Sequence, residues 1–148
     1  MKRNRAPGVI CFFSPCQLQG NDRGSLTRLP KALDQEQMNA FHEELCRETG
    51  ALLSPVGRVW QDLLRQDPDF PLYWQDGEHA SVYGDYLIAC THYRLLSGQS
   101  CKGLPSMGCD FSDPEKKAIR EDPASPMKPL DPDLCAAIRS AVDRAFQD

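Results

Sequence analysis

Apolar and polar positions change period several times along this chain, and each change marks an element. Gly8 to Ser14 is a continuous apolar run stopped by Pro15. A run without polar alternation suits a strand covered on both faces of a parallel sheet. Residues 17–30 turn polar and glycine-containing, which predicts a loop. Asp34 then opens a helix, with Gln37 at the capping-box position. Met38, Phe41 and Leu45 make its apolar stripe, and Gly50 supplies the stop. Ala51 to Ser54 reads as a second short strand, completing a βαβ unit whose crossover is expected to be right-handed. Val56, Val59, Trp60, Leu63 and Leu64 recur at helical spacing as far as Asp67-Pro68. Val82, Tyr83, Tyr86, Leu87, Cys90, Tyr93 and Leu96 define another helix, ended by Ser97-Gly98.

Beyond Gly98 the pattern loosens. Pro105, Pro114, Pro123, Pro126 and Pro129 predict an irregular, partly mobile excursion over residues 99–130, with one short turn near Glu115 to Arg120. Asp131-Pro132 is a strong helix start, an N-cap followed by proline at the first helical position. Leu134, Ile138, Ala141, Val142 and Ala145 then form the inner face of a C-terminal helix over residues 131–148, expected to pack on the same domain as residues 1–98.

With 148 residues the chain suits one domain, able to bury roughly 68–70% of its unfolded surface. Seventeen basic and 21 acidic residues give a net charge of −4, which argues against general nucleic-acid affinity. Lys2, Arg3 and Arg5 are a solvated end. No apolar run approaches the roughly 20 residues needed to span a bilayer. The start imitates a signal peptide only faintly, because Pro7-Gly8 and Ser14-Pro15 interrupt its apolar part. A cytoplasmic location is therefore the default expectation.

The seven cysteines are Cys11, Cys16, Cys46, Cys90, Cys101, Cys109 and Cys135, an odd count at irregular spacing that argues against a disulfide framework. Cys46, Cys90 and Cys135 fall inside helical patterns, where a free cysteine is usually a small buried hydrophobe. The other four lack the short paired spacing of a zinc site.

Candidate chemistry concentrates in Asp76-Gly77-Glu78-His79, a polar turn just before a long helix. An imidazole is most useful as a base when its other ring nitrogen donates to a carboxylate. An Asp-x-x-His turn can hold both groups within reach, with Asp76 as orienter, His79 as base and Glu78 as a fallback carboxylate. As a bare tetrapeptide the pattern also arises by chance, as a turn followed by a surface histidine. A metal set of Asp76, Glu78 and His79 lacks further partners in the sequence. His42 and His92 lie on amphipathic helices and read as packing or surface residues.

The stretch Pro71 to Leu87, Pro-Leu-Tyr-Trp-Gln-Asp-Gly-Glu-His-Ala-Ser-Val-Tyr-Gly-Asp-Tyr-Leu, resembles the last conserved block of SGNH (GDSL-type) hydrolases. Upstream, Gly50 to Trp60 resembles the strand and helix that precede that block in one branch of the family. The resemblance covers about Val9 to Gly98. It implies a flavodoxin-like α/β domain, a doubly wound parallel sheet in three layers, with the active site at the carboxyl ends of the strands. It implies serine-based ester or acyl hydrolysis of a substrate such as an acylated carbohydrate or lipid, with no metal or organic cofactor. His79 would be the base and Asp76 its partner. Ala80 stands where the family commonly has proline, a change that softens the turn.

The family's Gly-Asp-Ser nucleophile block and its oxyanion donors have no convincing counterpart. Gly24-Ser25-Leu26 and Gly20-Asn21-Asp22 lie in one polar loop after a strand that resembles a late strand of the fold. The chain is thus expected to be the C-terminal part of such a domain, incomplete at its front and inactive alone. The edge of the first strand would need cover from missing strands, a partner chain or self-association. Two other readings stand beside the enzyme fragment. One is a non-catalytic remnant binding a carbohydrate or protein through Tyr73, Trp74 and Tyr83. The other is a subunit completing a sheet with a chain that supplies the serine.

Overall fold

The computed structural model describes residues 9–11, 35–77, 79–109, 112–113, 118–119 and 127–147, the short pieces 9–11, 112–113 and 118–119 as backbone alone. Asp34, Glu78, Cys16 and the whole Gly20 to Leu26 loop lie outside them, as does most of the Glu115 to Arg120 turn. The described chain is mixed α/β and mostly helical.

Strand β1 (Val9–Cys11) pairs in parallel with β2 (Leu52–Ser54), Ile10 opposite Leu53, on either side of helix α1 (Gln35–Thr49). Helix α2 (Val56–Gln66) follows directly, then α3 (Val82–Ser97) and a 3-10 turn at Cys101–Gly103. Strand β3 (Met107–Cys109) pairs antiparallel with β6 (Met127–Pro129), and β4 (Ser112–Asp113) with β5 (Ala118–Ile119). Helix α4 (Pro132–Arg144) ends the fold. The stretch expected to be irregular therefore contains two antiparallel pairs and a buried turn. Among its described residues the outer pair joins positions up to 22 apart, Met107 with Pro129, a relation that local proline content does not report.

The core is a helical one, built where α3 packs on α2, α4 and the 3-10 turn. Helix α2 buries Val56, Val59, Trp60 and Leu63, the stripe its spacing predicts. Helix α4 starts as expected, with the Asp131 carboxylate accepting the Asp133 and Leu134 backbone N–H groups, and buries Cys135, Ile138, Ala141 and Val142. Full burial of a leucine or isoleucine such as Leu87 or Ile138 contributes about 1.5–3 kcal/mol each.

Helix α1 departs from expectation. Phe41 is 57% exposed, while Asn39 and Cys46 are buried, so the inward face is turned by about one residue. The contact with α2 is polar: Arg58 Nε donates to Glu43 at 2.7 Å, and Asn39, accepting from Gln35, donates to Gln61 at 3.5 Å. Those pairings, rather than the apolar stripe, orient the helix. Leu96 likewise ends α3 in solvent.

Two polar clamps hold the C-terminal half. Arg139 Nη1 donates to Tyr86 Oη (2.9 Å), the Leu104 carbonyl (3.1 Å) and Ser106 Oγ (3.1 Å), tying α4 to α3 and to the segment after the 3-10 turn. Asp143 accepts from Ser100 Oγ (2.5 Å) and the Cys101 N–H (3.0 Å). Around the first clamp lie the thiols of Cys90, Cys101 and Cys135, all buried. Burial pushes the Cys90 thiol up to about 12, from an ordinary 9.0, and raises those of Cys101 and Cys135. Burial also lifts the Tyr86 phenol to about 12, with the Arg139 hydrogen bond opposing.

In each case the unfolded chain ionises before the folded one. The stability these groups contribute is full below pH 9 and is lost as the pH rises toward about 12. The melting temperature is expected to fall steadily between pH 9 and 11, and less steeply in Cys90→Ala. A flat profile over that range in circular dichroism would contradict the buried thiols.

Candidate active site

The loop between α2 and α3 is a short hairpin. Tyr73 and Ala80 form an antiparallel bridge, flanked by hydrogen bonds from the Trp74 N–H to the His79 carbonyl (2.8 Å) and from the Ser81 N–H to the Leu72 carbonyl (2.9 Å). At its tip the Gly77 N–H donates to the Trp74 carbonyl at 2.9 Å. Gly77 has φ 73°, in the left-handed region that residues with a Cβ rarely adopt, so Asp76-Gly77 is the turn the sequence suggests. Ser81 locks the base of the hairpin to α3. Its Oγ accepts from the Tyr83 and Gly84 N–H groups (3.1 and 3.2 Å) and donates to the Pro71 carbonyl at 2.5 Å.

Within this frame Asp76 holds His79 twice. Oδ1 accepts the His79 backbone N–H at 3.0 Å, and Oδ2 lies 2.6 Å from the ring Nδ1. An ionised carboxylate only accepts, so the Nδ1–H donates, and in the neutral ring Nε2 is then the nitrogen with the lone pair. The Asp76 side chain is 29% exposed and that of His79 58%, so the imidazole stands at the surface with its carboxylate partly sheltered behind it. Chemically this is an oriented base: the ring's tautomer is set, and an imidazolium would be stabilised by the partner.

Other candidate residues take different places. Tyr73 packs edge-on to Trp60, ring centroids 5.0 Å apart, and Tyr83 accepts the Asp131 N–H at its hydroxyl (3.3 Å). Both aromatics are thus engaged in the fold, and Trp74 stands outside the apolar cluster. Ser25 and Glu78 lie outside the described residues. Among the described residues no three His, Cys, Asp or Glu side chains converge as a metal set. His42 donates from Nδ1 to the Met38 carbonyl at 2.7 Å, and His92 is half-buried on α3.

One feature escaped the sequence reading. Ser54, at the carboxyl end of β2, is fully buried and its hydroxyl has no hydrogen-bond partner among the described residues. It lines a cavity of about 10 Å³ with Asn39, His42 and Gly57, the space of one water. Its full burial removes it as a nucleophile. A larger groove of about 580 Å³ runs along α4 past Lys102 and Arg139 and includes neither Asp76 nor His79. It is an open helix flank, and the oriented base marks the site better than volume does.

No helix among the described residues is long and apolar enough to cross a membrane. No family model, curated protein or solved structure matches this chain.

Proposed function

We propose that this chain is SGNH-hydrolase-like: it carries the Asp76–His79 base pair of a serine ester or acyl hydrolase, with the nucleophile block supplied from elsewhere. The observation that carries the reading is the double hold of Asp76 on His79, 2.6 Å to Nδ1 and 3.0 Å to the backbone N–H. The backbone hold is what an Asx-type turn ordinarily supplies, and the bond to Nδ1 is the one that orients the ring. The parallel β1–β2 pair around α1 is in keeping with a late βαβ unit of a flavodoxin-like, doubly wound sheet, whose carboxyl strand ends are where such folds bind substrates. Hydrolysis by this route needs no metal or organic cofactor.

In the proposed reaction His79 Nε2 takes the proton of a serine hydroxyl as it attacks the acyl carbon, and Asp76 stabilises the imidazolium. The proton then passes to the departing alcohol. Without that serine the imidazole can still act as a base on a water molecule that attacks an activated ester and expels its phenolate. Slow turnover of p-nitrophenyl acetate by the folded chain is therefore expected, and loss of that turnover in His79→Ala. Equal rates in the two proteins would overturn the role of His79. A fluorophosphonate adduct found by intact mass on the wild type would instead mean that a serine of this chain is activated, and peptide mapping would test Ser25 first. That outcome would overturn the nucleophile's external origin.

A further inference from the structure

We propose that the groove along α4 is a binding site for a small phosphate monoester. It lies apart from the Asp76–His79 site and does not rest on the hydrolase reading. Its volume of about 580 Å³ falls within the roughly 300–1,000 Å³ of small-molecule sites. Arg139, Asp143 and Arg144 line it from α4, and Lys102 lines it from the 3-10 turn. In a chain of net charge −4, the groove thus gathers three cations and one carboxylate.

That carboxylate is already engaged. Asp143 accepts from Ser100 Oγ and the Cys101 N–H, lies 3.6 Å from Arg94 Nε, and has a side chain only 20% exposed. The field left in the groove is therefore positive. Arg139 is fixed in advance. Its Nη1 is committed to Tyr86, Leu104 and Ser106, so the donors it can offer to the groove it lines are Nε–H and Nη2–H. Neither has an acceptor among the described residues. Those two N–H bonds run parallel along one edge of a guanidinium and match two oxygens of a single anion. Because the clamp already holds the side chain, binding costs it little further rotamer entropy. The exposed side chains of Lys102 and Arg144 make no ion pair among the described residues.

The charge count sets the ligand class. A carboxylate or a phosphodiester brings one negative charge, which leaves most of this field unmatched. A phosphate monoester brings about −1.5 to −2 at neutral pH, with three strong acceptor oxygens. Two of them pair with Arg139, and the third stays available to Lys102 and Arg144. The groove is larger than a bare phosphate requires, so the organic part of the ester has room.

Calorimetric titration of the full chain with phenyl phosphate is expected to show one-site binding. Phenyl sulfate, which carries a single charge, is expected to bind about tenfold more weakly. Lys102→Ala and Arg144→Ala should each weaken phenyl phosphate binding about tenfold and leave the melting temperature in place, since both side chains are exposed. Arg139→Lys would open the clamp as well as remove the paired donors, so the wild type supplies that readout. Its Arg139 Nε–H resonance is expected to shift when phenyl phosphate is added. No binding at millimolar phenyl phosphate, or equal binding of phenyl sulfate, would overturn the site. So would an unmoved Arg139 resonance, unchanged binding in both alanine variants, or a preference for an oligonucleotide without terminal phosphates. His79→Ala is expected to bind phenyl phosphate as the wild type does. Binding lost in that variant would place the ligand at the hairpin and overturn the separate groove.

Discussion

Gly84→Ala is expected to destabilise the fold by about 3 kcal/mol, although alanine is ordinarily the better helix former by about 1 kcal/mol. A Cβ at this position would overlap the Leu72 carbonyl oxygen, lie 2.6 Å from the tip of the Trp60 ring and 3.0 Å from the Ala80 Cβ. None of the three can retreat cheaply. Leu72 is fully buried, Trp60 is 4% exposed, and the same Leu72 carbonyl accepts the Ser81 N–H at the base of the hairpin. The first turn of α3 rests directly on the strand that carries the candidate site, so the damage should reach His79 as well as the core. Urea denaturation of Gly84→Ala beside Gly103→Ala is the check. Gly103 has open space around the corresponding position and an alanine there should be nearly neutral. Equal midpoints for Gly84→Ala and wild type would refute this packing.

Asp76→Asn should cost the site its orientation while leaving the fold in place. The asparagine side chain offers an oxygen and an NH2 group. With its oxygen kept on the His79 backbone N–H, the NH2 faces Nδ1, which then must accept. That reverses the tautomer and puts the proton on Nε2, the nitrogen required as base. Nitrogen-15 shifts of the imidazole are expected to show Nδ1–H in the wild type at neutral pH and predominantly Nε2–H in the variant. Any His79-dependent ester turnover should fall by about 10²–10⁴-fold, the range over which positioned general bases act. An unchanged tautomer in Asp76→Asn would mean that the carboxylate does not orient the ring.

Asp76 and His79 were legible because the relation between them is local. Three residues of chain, one of them a glycine that accepts φ 73°, are enough to bring the two side chains together. Helices α2 and α4 were legible for a similar reason. Val56, Val59, Trp60 and Leu63 repeat with the helix period, and Asp131-Pro132 satisfies the first N–H groups of α4 from within one turn. Local rules failed at α1, where the stripe of Met38, Phe41 and Leu45 pointed one way and the polar contacts Glu43–Arg58 and Asn39–Gln61 turned the helix another. They also gave no sign of the antiparallel pairing of Met107–Cys109 with Met127–Pro129 or of the buried turn at Cys101. Cys101 is fully buried there through Asp143, 42 residues on, which accepts its N–H.

The candidate site divides along the same line. Sequence by itself determined that a carboxylate and an imidazole share one tight turn ahead of a helix, because turn geometry acts within four residues. Three aromatics near that turn were equivalent in sequence: Tyr73, Trp74 and Tyr83. Only the tertiary structure separated them, by pairing Tyr73 with Ala80 against Trp60 and by giving the Tyr83 hydroxyl to the Asp131 backbone. What put Tyr73 and Ala80 on the core side is strand register, and a register is set by which residues the core will accept on its side, a property of the whole packed chain.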